Sequence, residues 1–128
     1  MKVEDIARML YMTVRAYAAT VVNWEYREWE KLFDYERRDA VREVKFFLKD
    51  PKRDVETYHH AWMARQIMNG WTYDKEFDPA AKKHHYLKNF RELPLEYQFK
   101  DHLFKSAIDI LLNTLKIPLE DIDLEYEE

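Results

Sequence analysis

Apolar residues recur at three- and four-residue steps through most of the chain, which is the spacing of one face of an α-helix. The first run predicts a helix from Ile6 to Val22, and the second predicts a helix that follows Asp34 and continues to Leu48. Asp34 offers an N-cap oxygen, and Asp50-Pro51 closes the second helix because a residue before proline disfavours the α region. The predicted core positions are Ile6, Met9, Leu10, Thr13, Val14, Tyr17 and Val21 in the first helix and Ala40, Val41, Val44, Phe47 and Leu48 in the second.

The second half of the chain predicts two more helices. Asp54 is the expected N-cap of a helix from Val55 to Met68, and Asn69-Gly70 is expected to end it, because glycine accepts the left-handed conformation at a helix terminus. The last helix is expected to begin at Leu93-Pro94 and to continue to Leu115. Its predicted core positions are Tyr97, Phe99, Leu103, Phe104, Ala107, Ile108, Leu111 and Leu112.

The stretch between these two helices lacks helical spacing. Residues 71–77 are predicted to be extended, Asp78-Pro79 predicts a single helical turn that ends near Lys83, and residues 84–91 are predicted to be irregular. Gly70 is the one glycine, whereas sheets joined by tight hairpins usually need several. The predicted fold class is therefore mostly α, a compact domain of about four main helices with a short extended element around residues 71–77.

Length and charge suggest one domain followed by an acidic tail. No stretch rich in Gly, Ser or Pro divides the 128 residues, so we expect a single domain over residues 1–118 and a tail over residues 119–128. The tail has six acidic residues and no basic one, which leaves 21 basic and 19 acidic residues elsewhere, a balance that does not indicate a nucleic-acid surface. Its alternating apolar residues leave two interpretations open, an extended arm that docks or a frayed terminus in solvent.

Composition excludes several classes of protein and site. The chain has no cysteine, which rules out disulfides, thiolate zinc sites and cysteine nucleophiles. No apolar run approaches the roughly 20 residues of a membrane span, and the first residues lack the apolar segment of a secretory signal. The sequence therefore predicts a cytoplasmic protein that engages neither a membrane nor a nucleic acid.

Several short motifs follow one another in a fixed order. They are His59-His60-Ala61-Trp62, Asn69-Gly70-Trp71-Thr72-Tyr73, Lys83-His84, Leu93-Pro94 and Lys100-Asp101. In this order they resemble the RyR domain, the repeat named from ryanodine receptors, which also occurs as small stand-alone proteins in bacteria and their phages. The motif core covers residues 55–112. The sequence departs from the family pattern at Asp74, where a glycine is usual, at His85 and at Asn89, where prolines are usual.

The resemblance implies a helical fold with a small extended element and a role in binding rather than catalysis. For the stand-alone members it suggests sensing or sequestering of a small nucleotide-like ligand in the bacterial or phage cytoplasm. The alternative is a module for protein–protein interaction or scaffolding, including a homodimer. The aromatic group Trp24, Tyr26, Trp29 and Phe33 motivates this alternative, since exposed aromatic patches often mark interfaces.

The motif aromatics are the main candidates for a ligand site. Trp62, Trp71 and Tyr73 would stack on a planar ligand, with Arg15, Lys83 or Lys100 supplying positive charge to a phosphate. The other interpretation of the same three rings is that they are core residues that join a helix to its loop. The full candidate set for ligand binding is Arg15, His59, Trp62, Trp71, Tyr73, His84, Lys100 and Asp101.

The polar residues give little sign of catalysis or metal binding. The histidine spacing matches no zinc motif, so we expect one buried histidine, His59, and the other four at the surface. His84 with Lys100-Asp101 is the one set that suggests acid–base chemistry, and neighbouring Lys and Asp more often form surface charges. With no nucleophile motif and no glycine-rich phosphate loop, we expect no enzyme, no metal and no cofactor.

Overall fold

In the computed structural model, residues 1–21, 23 and 25–126 are described. They form four α-helices, α1 (Val3–Val21), α2 (Asp34–Lys49), α3 (Val55–Met68) and α4 (Leu95–Asp109), and two short parallel strands, β1 (Thr72–Tyr73) and β2 (Lys83–His84). The prediction of a mostly helical fold with a short extended element is confirmed. Three predictions fall on residues outside the described part: the end of the first helix at Val22, the role of Trp24, and the tail residues Glu127 and Glu128.

The chain divides into two compact units. The first consists of residues 1–52 together with residues 99–128, and the second of residues 53–98. The helix α4 begins in the second unit and continues in the first. The expectation of a single domain over residues 1–118 stays a prediction. None of the helices in the described ranges has both the length and the hydropathy of a membrane-spanning segment.

In the first unit, α1 packs on α2 with a face that differs from the predicted one. The predicted core residues Met9 and Val21 are 47% and 63% exposed, and Thr13 is exposed as well. Ala7 and Ala18 are buried in their place, and these small residues allow the two helices to approach closely. The buried face of α1 consists of Val3, Ile6, Ala7, Leu10, Val14 and Ala18.

The helix α4 shows a similar correction. The predicted core residue Phe99 is exposed, whereas Asp101, Phe104 and Ile108 are buried. Residues two positions apart on a helix do not face the same way, so burial of Asp101 turns Phe99 towards solvent. After Asp109 the helix widens into a π-helical turn over Ile110–Thr114, in which the Leu115 N–H donates to the Ile110 carbonyl at 2.9 Å.

Local capping predictions succeed at α3 and fail at α2. Asp54 caps α3 by accepting a hydrogen bond from the Thr57 N–H at 2.8 Å, and Gly70 follows the helix with φ of +90°. The predicted N-cap of α2, Asp34, is instead its first residue and pairs with Arg37 at 2.5 Å. The backbone N–H that needs a partner there, that of Phe33, donates to the Glu36 carboxylate at 3.2 Å.

The predicted helical turn after Asp78-Pro79 is not formed. Asp78 does cap the Ala81 N–H at 3.3 Å, but Lys82 has φ of +54°, which is incompatible with a continuing right-handed helix. Residues 79–82 therefore form an isolated turn, which leads into β2. The stretch predicted to be irregular contains one short 3₁₀ turn, Phe90–Glu92, at its end.

The acidic tail docks, as far as it is described. We call residues 119–126 the tail segment. It begins with a 3₁₀ turn, buries Ile122, and pairs through Asp123 with Lys2 in a short parallel bridge. Of the two interpretations left open by the sequence, the extended docked arm is therefore the correct one for these residues.

Candidate ligand-binding site

Six rings in the second unit form one continuous group, which we call the aromatic cluster. Its members are Trp62, Trp71, Phe77, His84, His85 and Tyr86. The imidazole of His84 lies at the centre: its ring centroid is 5.0 Å from that of Trp62, 5.0 Å from that of Phe77 and 5.9 Å from that of Trp71. The edge-to-face angles of 79° and 71° to Trp62 and Phe77 are those that aromatic quadrupoles favour.

The short sheet brings these rings together. Gly70 ends α3 and turns the chain, so that Trp71 directly precedes β1. The Thr72 N–H donates to the Lys82 carbonyl at 2.9 Å, and Tyr73 is in register with His84. Trp62 reaches the same centre from α3. The site therefore depends on one helix end and one strand pair, both of which lie within residues 53–98.

His59 packs against the aromatic cluster through Trp62. It is 1% exposed, and its Nε2–H donates to the Lys88 carbonyl at 2.8 Å, which fixes the ring orientation. Its imidazole stacks on Trp62 with centroids 5.5 Å apart and an interplanar angle of 25°. The prediction of one buried, hydrogen-bonded histidine is confirmed for His59, and its role here is to position Trp62.

The other histidines differ from the prediction that all four lie at the surface. His60 and His102 are exposed, but His84 and His85 are half-buried among the rings.

The two half-buried imidazoles differ in their hydrogen bonds. The Nδ1 atom of His84 accepts a hydrogen bond from the Tyr86 N–H at 3.0 Å, which leaves the ring proton on Nε2 when the imidazole is neutral. Burial lowers the pKa of His85, and nearby Lys88 lowers it further. Among the described residues, the buried Nδ1 of His85 has no hydrogen-bond partner.

The rings of the aromatic cluster are neither fully buried nor fully exposed. Trp62 and Trp71 are half-buried, while Phe77 is 52% exposed. Trp71 and Phe77 are nearly parallel, with centroids 6.4 Å apart and an interplanar angle of 14°. Tyr73 is also 52% exposed and, in the described part of the chain, contacts no other ring. The group thus combines packed rings with rings that keep much of their surface exposed.

The charged residues next to the cluster are mostly engaged with the chain itself. Lys82 Nζ donates to the Asn69 carbonyl at 2.8 Å, at the negative end of the α3 dipole. Lys83 Nζ lies 3.6 Å from a carboxylate oxygen of Asp74. A hydrogen bond from the Glu76 N–H lowers the pKa of Asp74, and the Lys83 charge lowers it further. Asp74 does not have a positive φ, so this position needs no glycine here.

The remaining predicted site residues belong to the first unit. Arg15 Nε donates to the Tyr26 carbonyl at 3.0 Å and thereby ties α1 to the segment that follows it. Asp101 is 2% exposed, so the interpretation of Lys100-Asp101 as surface charges is wrong for the aspartate. Its charge acts on Glu43 of α2, which is buried as well. Five of the eight candidates, His59, Trp62, Trp71, Tyr73 and His84, thus lie in the second unit, and three, Arg15, Lys100 and Asp101, lie in the first.

Sequence reasoning missed three members of the cluster, Phe77, His85 and Tyr86. Their spacing carries no periodic signal, because Phe77 lies in the turns between β1 and β2, and His85 and Tyr86 form the turn that follows β2. A usable signal was the density of rings: all four residues between Lys82 and Leu87 are aromatic or basic, with His84, His85 and Tyr86 in sequence. Such a run beside a motif tryptophan would have indicated ring packing.

Comparison with protein families identifies the source of these motifs. A family model described as the RyR domain matches residues 53–117, half of the chain, and this range includes the whole second unit. Comparisons with curated proteins and with solved structures found no match. The motifs that carry the sequence resemblance, from His59 to Asp101, all lie inside the matched range. The chain belongs to the RyR domain family.

Proposed function

We propose that this RyR domain is a non-enzymatic binding module whose aromatic cluster binds a planar, nucleotide-like small molecule. The observation that carries the proposal is the pair Trp71 and Phe77, two nearly parallel and partly exposed rings beside His84. A ring exposed to this extent leaves apolar surface in water, which a stacking ligand would cover.

Stacking on aromatic side chains is an effective way to hold a nucleobase. Alanine substitution of such a ring typically costs about 1–3 kcal/mol per base. Lys83 precedes His84 on β2, so its side chain leaves the opposite face of the strand, where it forms an exposed ion pair with Asp74. The ring stack itself is therefore uncharged, and the proposal rests on stacking.

The polar groups of the cluster support binding rather than catalysis. The Nδ1 atom of His84 already accepts a backbone hydrogen bond, and His59 donates its Nε2–H to a carbonyl. Both imidazoles are therefore held for packing and not poised to take a proton from a substrate. The pKa of His85 is lowered, so this ring is neutral at physiological pH and adds a stacking surface without charge.

The test is a thermal-shift screen with nucleotides, cyclic nucleotides and ADP-ribose derivatives on the full chain and on two variants. A ligand at 100 times its Kd is expected to add about 2.7 kcal/mol to the free energy of unfolding, a shift of several degrees in Tm. Phe77→Ala is expected to weaken the ligand at least fivefold while the chain stays folded, because this ring is half in solvent. Trp71→Ala is expected to abolish the shift.

Phe33→Ala is the matched control for this experiment. Phe33 is 57% exposed, close to the value for Phe77, and lies in the first unit. It should leave ligand affinity unchanged. If no compound of the panel raises Tm, or if Phe77→Ala and Phe33→Ala lower affinity equally, the aromatic cluster is not the site.

A second candidate function, a protein-interaction module that includes self-association, rests on Phe33 and Tyr35. These rings are 57% exposed each and stack with centroids 5.9 Å apart, and Arg27 lies 4.6 Å above the Phe33 ring. Exposed aromatic residues with an adjacent arginine are typical of the centre of protein interfaces. Trp29 and Tyr26, which motivated the same hypothesis from sequence, are buried and half-buried instead.

If this pair mediates a homodimer, light scattering at about 100 μM should give twice the monomer mass, and Phe33→Ala with Tyr35→Ala should return it to the monomer. Ile67→Ala, another exposed apolar side chain but in the second unit, serves as the control. A monomer at all concentrations would exclude self-association through these rings.

A further inference from the structure

The tail segment is held to the beginning of the chain by main-chain hydrogen bonds. The Val3 N–H donates to the Asp123 carbonyl, and the Asp123 N–H donates to the Met1 carbonyl, both at 2.8 Å. The Met1 amino group donates to the Asp121 carbonyl at 3.0 Å. The residues before α1 thus offer donors and acceptors to an added strand, which is how many domains bind extended peptides.

One apolar side chain anchors the segment. Ile122 is 6% exposed, whereas Leu119 and Leu124 are 46% and 49% exposed. The backbone hydrogen bonds align the tail segment with Met1 to Val3, while one buried side chain contributes little buried area. Another peptide with an aliphatic residue at the same position could therefore replace the tail segment.

A groove of about 1460 Å³ lies beside the tail segment, within the first unit. Five basic residues line it, of which Arg8 is paired with Glu30 and Arg37 with Asp34. The other three, Lys2, Arg38 and Lys45, form no ion pair with any residue that the structure describes.

The unpaired cations are arranged along the groove. Arg38 and Lys45 lie seven positions apart on α2, which is two helical turns, so they share a face about 10 Å apart. Two of the acidic residues that line the groove, Asp123 and Glu125, belong to the tail segment itself. Without the tail segment, the lining would hold five basic residues against three acidic ones, Glu4, Glu30 and Asp34.

We propose that this groove docks an extended, acidic segment of a partner protein, and that the chain's own tail segment partly occupies the same surface. The partner segment would pair its backbone with Met1 to Val3, place an aliphatic side chain where Ile122 lies, and direct carboxylates towards Arg38 and Lys45. All residues that line this groove belong to the first unit and lie outside the range that matches the RyR family model.

The experiment measures binding of a fluorescein-labelled peptide with the sequence of residues 117–128 to the full chain. Ile122→Ala removes the anchor of the competing tail segment, so the peptide is expected to bind this variant at least tenfold more tightly than the unmodified chain. Asp123→Pro, which removes the N–H that bonds Met1, is expected to release the tail by a second route. Far-UV circular dichroism and Tm of both variants check that they keep the helical fold.

The charge of the groove is tested in the Ile122→Ala background. Adding Arg38→Glu and Lys45→Glu is expected to weaken the peptide at least tenfold, whereas Lys49→Glu, an exposed residue of α2 that does not line the groove, should change affinity less than twofold. Raising NaCl from about 50 to 300 mM should weaken the peptide as well, because the Debye length shortens.

Three results would overturn the proposal. The first is equal peptide affinity, or no binding, for the unmodified chain and both tail-release variants. The second is equal binding of a peptide in which every acid is replaced by its amide, which would exclude an acidic partner. The third is a tail-exchanged dimer in light scattering, which would assign the groove to a second copy of this chain.

Discussion

His59→Ala is expected to lower the free energy of unfolding by roughly 3–5 kcal/mol. The substitution leaves a ring-sized cavity under Trp62 and an unpaired carbonyl at Lys88, and both effects are costly in a buried position. Since domains of this size are stable by about 5–15 kcal/mol, the loss removes a large share of the total. Urea unfolding followed by circular dichroism measures it.

Two further variants at this position separate the ring from the hydrogen bond. His59→Phe keeps a ring against Trp62 but cannot donate to Lys88, and it is expected to cost about 1–3 kcal/mol. His59→Gln keeps a donor but loses the stacked ring. His60→Ala is the control, because His60 is exposed, and it should change stability by less than about 0.5 kcal/mol. Equal small effects of His59→Ala and His60→Ala would show that the buried imidazole does not support the site.

Glu43→Gln is expected to stabilise the chain by about 1–3 kcal/mol at pH 8 and to have little effect near pH 4. Burial raises the pKa of Glu43 well above its usual range, and the nearby Asp101 carboxylate raises it further, while Lys100 opposes the shift. Burial also raises the pKa of Asp101, and Lys100 and His102 lower it. A glutamine amide reproduces the neutral carboxyl without the cost of a second buried charge.

The sign of the pH dependence follows from the direction of these shifts. Both carboxyls hold their protons to a higher pH in the folded chain than in the unfolded one. Their contribution to stability is therefore complete below the unfolded pKa values of about 4 and is lost as pH rises through the raised folded values. The free energy of unfolding should fall by up to about 1.4 kcal/mol per pH unit for each proton in this window.

The pH profile of unfolding, measured from about pH 4 to pH 9, checks this prediction. Glu43→Gln should flatten the decline, whereas Lys100→Met should steepen it by removing the opposing positive charge. Glu96→Gln, which changes an exposed carboxyl of the same helix as Asp101, should leave the profile as it is. An unmodified chain whose stability rises from pH 5 to pH 8 would contradict the raised pKa of Glu43 and Asp101.

The sequence predicted those parts of the fold that depend on neighbouring residues. Asp54 and Gly70 determine the two ends of α3 through hydrogen bonding and backbone conformation within a few positions, so both were predictable. The buried face of α1 was not, because apolar residues occupy two adjacent faces and only the packing against α2 selects Ala7 and Ala18 over Met9 and Thr13.

The same distinction applies to the candidate site. Trp62, Trp71 and His84 were predicted because a family motif marks them, and the structure places their rings in one group. The pair Glu43 and Asp101 could not be predicted, since the two residues are far apart in sequence and each has ordinary charged neighbours. Whether a carboxyl is buried depends on which helix packs against it, and the residues next to it in sequence do not indicate that contact.

The division of the chain also bears on the order in which its parts obtain their contacts during synthesis. Residues 53–98 are continuous, so the second unit has all its partners once they have left the ribosome. The first unit obtains its last contacts later, because Met1 and Val3 form hydrogen bonds with Asp123, which is added near the end of synthesis. Until then α1 and α2 expose the apolar surface that α4 and the tail segment later cover. The apolar surface of α1 and α2 that faces these later residues is therefore expected to stay accessible to chaperones until residues 99–126 have been made.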